Sequence, residues 1–438
     1  MSLPRYPEYK DSGVEWLGEV PAHWEVRRLQ DVAQVINGYP FDSRLFRQEG
    51  GYPLIRIRDL DARETATRYD GEFIREASVE NGDVLIGMDG EFNVGQWLGT
   101  EKALLNQRMC CVRSPSSALT TFLRHALPIP LRAINEVTYS TTVKHLSSGD
   151  VKSIRVALPN PFELTQISEF LDHETAKIDG LLAEQEKLLA LLAEKRQATI
   201  SHAVTRGLDP NVPMKDSGIA WLGEVPAHWS IFPIKWATSS IEQGWSPQCE
   251  SHPVDSPDEW GVMKVGCVNG GIFDPAENKK LPAELEPVPA YALKRGDLLV
   301  SRANTRDLVG SAAVVPEDHP NLLLCDKLYR MRTDHNICEP RFVAAFLGTP
   351  QARSQIELQA TGASSSMLNI GQSTILDMPL PLPPISEQIE ILNWLESQVL
   401  KLDETRARVE HAICLLKERR GALISAAVTG QVDVRGLS

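Results

Sequence analysis

The chain is poor in residues that staple or anchor a protein. Its seven cysteines are scattered as Cys110, Cys111, Cys249, Cys267, Cys325, Cys338 and Cys414. None belongs to a C-x-x-C pair, so neither a zinc ribbon nor a disulfide framework is expected. This usage fits a reducing cytoplasm. No apolar run approaches the ~18 residues that a membrane helix needs. The polar start Met1–Lys10, with Pro4 and Pro7, offers no signal-peptide core. Positive charge is in deficit, with 45 Lys and Arg against 58 Asp and Glu and a net charge of −13. That disfavours non-specific wrapping of nucleic acid, so any DNA contact must come from a local basic surface.

Catalytic signatures are missing too. There is no G-x-x-x-x-G-K-[ST] loop, so the chain is not expected to hydrolyse ATP. No Gly-rich strand–turn–helix fingerprint suggests a nucleotide or S-adenosylmethionine pocket. The histidines lack H-x-x-x-H and H-E-x-x-H spacing, so no metal site is expected. Catalytic, cofactor-binding and metal-ligating residues are accordingly assigned to none, and the chain reads as a non-enzyme. What is present is a globular composition, with 42% hydrophobic and 24% charged residues. At ~150 residues per domain, the length allows two or three domains.

The chain repeats itself. Lys10–Trp24 reads KDSGVEWLGEVPAHW and Lys215–Trp229 reads KDSGIAWLGEVPAHW, identical at 13 of 15 positions and 205 residues apart. Further echoes follow. Gly82-Asp83-Val84-Leu85-Ile86 matches Gly296-Asp297-Leu298-Leu299-Val300, and Leu158-Pro159-Asn160-Pro161 matches Leu380-Pro381-Leu382-Pro383. Ile200–Thr205 matches Ile424–Thr429. The protein is two copies of one unit. Between these echoes, residues 26–154 and 231–376 share little beyond the Gly-Asp strand. A constant frame therefore presents two different inserts. His23 and His228, beside Trp24 and Trp229, are read as packing residues.

Each insert reads as short strands and turns. Tyr52–Arg58 alternates apolar and basic residues like a half-exposed strand. Asp83–Met88 and Leu298–Arg302 look like buried strands, and Met109–Val112 and Leu328–Met331 are further candidates. Helices are expected at Ala118–Ala126 and Pro340–Leu347. Each unit then closes with a helix of ~40 residues, starting at Pro161 and Pro384 where a first-turn proline fits. Asn160-Pro161-Phe162 faintly resembles an amino-methyltransferase loop, but a helix start explains it, since the second copy lacks the Asn. Leu171, Ile178, Leu182, Gln185, Leu189 and Leu192 form a heptad seam in the first helix, with Arg196 and Thr199 extending it. Leu395, Val399, Leu402, Arg406, Val409, Ile413, Leu416 and Leu423 form one in the second, with Arg420 filling a place. Two matched seams should pair with each other, antiparallel by the pseudo-two-fold symmetry. The fold class is α+β, with two tandem α/β domains separated by two long α-helices pairing as an antiparallel coiled coil.

These residues resemble those of the specificity (S) subunit of type I restriction–modification enzymes. The match rests on Lys10–Trp24 and Lys215–Trp229, both Gly-Asp strands, Thr142–Leu146, the helix starts at Pro161 and Pro384, and Ile424–Gly430. The resemblance implies two target-recognition domains, each reading half of a bipartite double-stranded DNA site. It implies helices that space them and dock two methyltransferase (M) subunits. S-adenosylmethionine would bind M, and ATP with Mg²⁺ would serve the restriction (R) subunits. The second copy departs at Thr361–Leu368, which lacks the Val-Lys-His of the first. The implied layout is a first recognition domain over 1–160, a central helix over 161–206, a linker and repeated segment over 207–229, a second recognition domain over 230–383, and a C-terminal helix and tail over 384–438. A tandem scaffold without a DNA role and a self-sufficient methyltransferase or nuclease are the competing readings. The missing cofactor motifs oppose the last.

Arg, Lys, Asn and Gln carry most base readout because their donors match purine edges. In the first domain the candidates are Arg44, Arg47, Arg56 and Arg58, then Asn93, then Thr141, Thr142, Lys144 and His145. In the second they are Gln243, Lys264, Asn269, Arg302, Asn304, Arg306, Ser365 and Asn369. Neither domain is basic overall. Glu25–Asp150 holds 15 Lys and Arg against 17 Asp and Glu, and Ser230–Met378 holds 13 against 18. Tight DNA binding should therefore need the partner subunits' charge.

Overall fold

A computed structural model describes residues 4–137, 144–364 and 367–436. The chain divides into two compact units, Met1–Glu186 with His411–Ser438, and Lys187–Glu410. No helix among the described residues is long and apolar enough to cross a membrane.

In the first unit the main strands are β1 (Gln34–Asn37), β2 (Tyr52–Ile55), β3 (Val84–Gly87), β4 (Val94–Gln96), β5 (Ala103–Leu105) and β6 (Met109–Arg113). One antiparallel sheet has the order β4-β3-β6-β1. A second sheet pairs β2 with β5 in parallel, Leu54 opposite Leu104. Strand β3 is apolar on both faces because both are covered. Val84 and Ile86 pack with Leu123 and Leu131 from helices α1 (Ser117–Ala126) and α2 (Pro128–Val137). Leu85 joins Ile55, Leu105 and Trp97 in a separate layer. A short helix α3 (Ser148–Ser153) precedes the long helix α4 (Pro161–Arg206).

Tyr52–Arg58 does not form the single half-exposed strand expected. β2 stops at Ile55, and Pro53, Leu54 and Ile55 are all buried. It lies inside its sheet rather than at an edge, which removes the alternation. The Asp59 carboxylate then accepts the Arg56 N–H at 2.9 Å, and Ile57–Asp59 turns as a 3-10 helix.

The second unit repeats this plan with β7 (Thr238–Gln243), β8 (Gly261–Met263), β9 (Leu298–Ser301), β10 (Ala303–Asn304), β11 (Ala312–Val314), β12 (His319–Leu323), β13 (Leu328–Thr333) and β14 (Met367–Asn369). Its main sheet runs β7-β13-β9-β11. β8 and β12 pair in parallel. Helices α5 (Pro340–Leu347), α6 (Pro350–Gln359) and α7 (Gln372–Leu376) follow, then the long α8 (Ile385–Val428). Leu298 and Val300 pack with Met331, Phe342 and Phe346, and Leu299 with Leu324 and Leu328. All seven cysteines are free thiols. Burial pushes Cys110 and Cys338 up to about 12.

The repeated motifs have local physical roles. Asp83 accepts the Glu80 N–H at 2.8 Å and binds Arg113 at 2.6 Å. Asp297 accepts the Lys294 N–H at 2.9 Å and binds Arg332 at 2.7 Å. Each closes the turn that launches a core strand, and Gly82 and Gly296 hold φ of 90° and 86° there, where a side chain would be strained. The Trp-Leu-Gly-Glu-Val-Pro-Ala-His-Trp segment is a clasp. Trp24 Nε1 donates to Glu163 at 3.2 Å while His23 Nε2 lies 2.8 Å from the same carboxylate. Trp229 and His228 treat Glu387 identically, at 3.0 and 2.8 Å. Asn160 caps α4, accepting the Glu163 N–H at 3.0 Å.

Helices α4 and α8 hold 46 and 44 residues, about 65–70 Å each at ~1.5 Å per residue. In the first unit the start of α4 lies against the end of α8, where Asp179 binds Arg420 through two contacts of 2.8 and 3.1 Å. There Leu171 and Ile178 are buried, and Leu182, Gln185, Ile413, Leu416 and Leu423 are half-buried. In the second unit the end of α4 lies against the start of α8, with Arg196 3.7 Å from Asp403. Leu395 and Val409 are buried there, and Leu189, Leu192, Thr199, Val399 and Leu402 are half-buried. Start against end is the antiparallel arrangement in each unit. Arg406 departs from the expected seam. It is exposed and pairs along its own helix with Glu410 at 2.8 Å, since a guanidinium gains more from water and a carboxylate than from an apolar seam.

Candidate nucleic-acid interface

In the first unit β1 and β3 end, and β6 begins, at one edge of the sheet, because β6 is antiparallel to both. The segments leaving that edge form a rim. Met88, just past β3, donates its N–H to the Arg108 carbonyl at 2.9 Å and accepts from Leu146 N–H at 2.8 Å. This brings the stretch around Lys144 and His145 to the strand exit, where Asp89 and His145 form a β-bridge. The Asp89 carboxylate lies 2.8 Å from His145 Nδ1 and 3.5 Å from Arg108. Lys144 turns inward, its amino group 2.9 Å from Asn135 Oδ1. Asn106 N–H donates to the Ile55 carbonyl at 3.1 Å, which sets exposed Arg56 beside the same rim.

The second unit builds the same rim with other side chains. Arg302, just past β9, donates its N–H to the Lys327 carbonyl at 2.8 Å and accepts from Ile370 N–H at 3.0 Å. Strand β10 pairs with β14, Ala303 opposite Asn369 and Asn304 opposite Leu368. Ala303 thus stands where Asp89 stands, and Asn369 where His145 stands. The missing Val-Lys-His of the second copy is a substitution at a shared position rather than a lost element. The Arg302 guanidinium donates to the Asp326 carbonyl at 3.2 Å, and Lys327 is exposed.

Other candidates are placed differently. Arg44 grips Asp42 at 2.6 Å, and that hydrogen bond holds the Asp42 carboxyl well below its usual range. Arg47 donates to the carbonyls of Arg44 and Phe46, and Arg58 to Thr67 Oγ1 at 2.8 Å. These three are engaged with their own neighbourhood. Asn93 is exposed in the turn after β3. Lys264 caps the 3-10 segment Val265–Gly271, which carries exposed Asn269, and lies 3.8 Å from Glu277. Gln243 is exposed at the end of β7, and Arg306 is exposed after β10. Thr141, Thr142 and Ser365 lie outside the described residues.

Sequence reasoning missed Arg108 and Lys327. The signal was available, since each is a basic residue directly before an apolar strand, in Gln107-Arg108-Met109 and Asp326-Lys327-Leu328. A lone cation in a turn carries no weight until strand pairing sets it beside the Gly-Asp strand.

Residues 21–189 match the family model of the type I restriction modification DNA specificity domain. The type I restriction enzyme EcoBI specificity subunit of Escherichia coli is 29% identical over 437 residues, covering 98% of this chain and 90% of that subunit. The EcoKI specificity subunit of Escherichia coli strain K12 is 22% identical over 439 residues, covering 95% and 91%. Among solved structures, a chain of a type I R-M system overlays with a TM-score of 0.65 at 17% identity, covering 94% of this chain and 99% of that one. The HsdS subunit from Thermoanaerobacter tengcongensis overlays with a TM-score of 0.50 at 15% identity, covering 94% and 98%. These overlays carry the fold, and the sequence matches carry the kinship. With a specificity domain matched on its first repeat, the same frame on its second and specificity subunits aligned along nearly its whole length, the chain is similar throughout to type I restriction–modification specificity subunits.

Proposed function

We propose that this chain is the DNA sequence-recognition subunit of a type I restriction–modification complex, each unit reading one half of a bipartite, non-palindromic site. The observation that carries the reading is the pair of rims. Their backbone hydrogen bonds coincide, and their side chains differ. Phosphate contacts position a protein and base-edge contacts specify. Arg108 and His145 on one rim, and Arg302, Lys327 and Asn369 on the other, are groups suited to base edges, whereas the Asn304 amide turns inward, its oxygen accepting the Thr305 N–H at 2.9 Å. Arg56 and Lys264 suit phosphates. Helices α4 and α8 space the units and dock two M subunits, whose charge supplements two acidic domains. S-adenosylmethionine chemistry belongs to M, ATP and Mg²⁺ to R, and this chain adds no catalytic group. The complex works on double-stranded DNA in the cytoplasm.

The test is to express the full chain with its M subunit and map methylated adenines across a genome. An interrupted motif with two unlike halves, dependent on this chain, is expected. A palindromic uninterrupted motif, or no dependence on the chain, overturns the reading.

A further inference from the structure

We propose that Asn37-Gly38-Tyr39 and Gln243-Gly244-Trp245 are twin reading elbows, each setting one amide against a base edge and one aromatic ring against the adjoining sugar in its own half-site. The inference rests on the recognition role argued above and assigns specificity to residues outside the Arg and His positions of the rims. Both segments leave the same strand of their sheets at the rim edge. Asn37 stands opposite Cys110 of β6, and Gln243 opposite Tyr329 of β13. Tyr39 N–H then donates to the Leu105 carbonyl at 2.8 Å, and Trp245 N–H to the Leu324 carbonyl at 3.1 Å. Parallel bridges join Tyr39 to Asn106 and Trp245 to Cys325.

The glycine between them is sterically required. A Cβ on Gly38 would sit 1.8 Å from the Asn106 carbonyl oxygen, and one on Gly244 2.0 Å from the Leu324 carbonyl oxygen. No rotamer relieves a clash with backbone, so the close crossing fixes the path of the chain in both units. That path leaves the amides of Asn37 and Gln243 exposed. Tyr39 is 45% exposed, and Trp245 is half-buried. At the strand exits the chemistry diverges, Asp89 against Ala303 and His145 against Asn369, with a basic residue shared at Arg108 and Lys327. Here an amide, a glycine and an aromatic recur. A side-chain amide offers one acceptor and two donors, the pattern that matches the N7 and N6 edge of adenine. The proposal is therefore an A·T pair read by each elbow.

The experiment uses the full chain assembled with its M subunit and oligonucleotides carrying the mapped site or single base-pair changes. Asn37→Ala is expected to lose discrimination at one A·T pair of one half-site by roughly 5- to 150-fold, with the other half unchanged. Gln243→Ala should do the same in the opposite half. Tyr39→Ala should weaken methylation of its half-site without changing the preferred bases. Should Asn37→Ala fail to assemble, the near-isosteric Asn37→Asp exchanges the two N–H donors for a charged acceptor, and discrimination at the same pair should be lost while the other pairs of that half-site keep theirs. Unchanged discrimination in both amide variants overturns the elbows and leaves the rims' role intact. A wild-type complex with no sequence preference overturns the recognition reading itself.

Discussion

The rims of the two units share a main chain and almost no side chains, whereas their frames share both. At the rim, Met88 and Arg302 make the same two backbone hydrogen bonds. Around them an acid–base cluster of Asp89, His145 and Arg108 stands against an uncharged Ala303, with Asn369, Arg302 and Lys327. In the frame, the Trp–His–Glu clasp is the same to within 0.2 Å, 3.2 and 2.8 Å against 3.0 and 2.8 Å. Backbone pairing at the rim needs no particular side chain, so side chains there can change without disturbing the fold. The clasp joins a buried indole to a carboxylate near a helix start, and each partner requires the other.

The largest effects should come from the frame, and they should match between units. Trp24→Ala and Trp229→Ala remove indoles at most 1% exposed, and each should cost about 3–5 kcal/mol. Chemical denaturation followed separately in each unit checks this, and unequal losses would break the equivalence of the frames. The Gly-Asp turns should differ. Asp297 is buried, binds the part-exposed Arg332 and lies 3.6 Å from the buried Arg330, so Asp297→Ala leaves the interior Arg330 guanidinium with Glu242 as its remaining carboxylate and should cost about 3–5 kcal/mol. Asp83 serves Arg113, which is partly exposed. Asp83→Ala should cost about 1–3 kcal/mol, and the same denaturation series ranks the two.

Rim substitutions should leave stability alone and sharpen the contrast in DNA binding. Arg302→Ala should weaken one half-site by about 1–3 kcal/mol, read by titrating the complex with DNA in which the other half is scrambled. Arg108→Ala should act on the opposite half and more weakly, because Asp89 already shares that guanidinium. Equal loss in both halves from either variant would deny separate readers. The smallest effects belong to the helices. Arg420→Ala removes a bidentate bond to Asp179 and should lower stability by about 0.5–1 kcal/mol. Arg406→Ala should leave the melting curve of the full chain unchanged.

Much of this fold was legible in the residues because its signals are local or literal. The heptad spacing of Leu171, Ile178, Leu182 and Leu189 needs only a 3.6-residue turn to become a seam. The duplicated Lys10–Trp24 segment announced a second unit without any structure. Pro340–Leu347 and Met109–Val112 carried length and composition enough to be read as helix and strand. Tyr52–Arg58 misled because its strand ends at Ile55, where the Asp59 carboxylate takes the Arg56 N–H and turns the backbone. Arg406 misled because heptad position says where a Cα sits and not where a long charged side chain goes. Arg44, Arg47 and Arg58 drew attention as a basic run, yet carbonyls, Asp42 and Thr67 hold them.

The sequence by itself determined that there are two units of one design, that each ends in a long helix with an apolar stripe, and that the inserts differ. Repetition and periodicity are properties of the chain and survive without coordinates. Only the tertiary structure decided which inserted residues stand together. Arg108 and His145 meet at Asp89, and Lys327 is set beside Arg302 by a backbone hydrogen bond, through pairings between separate stretches of the chain. Such pairings are chosen by covering both faces of β3 and β9 at once, a condition on the whole core that no local stretch of residues expresses.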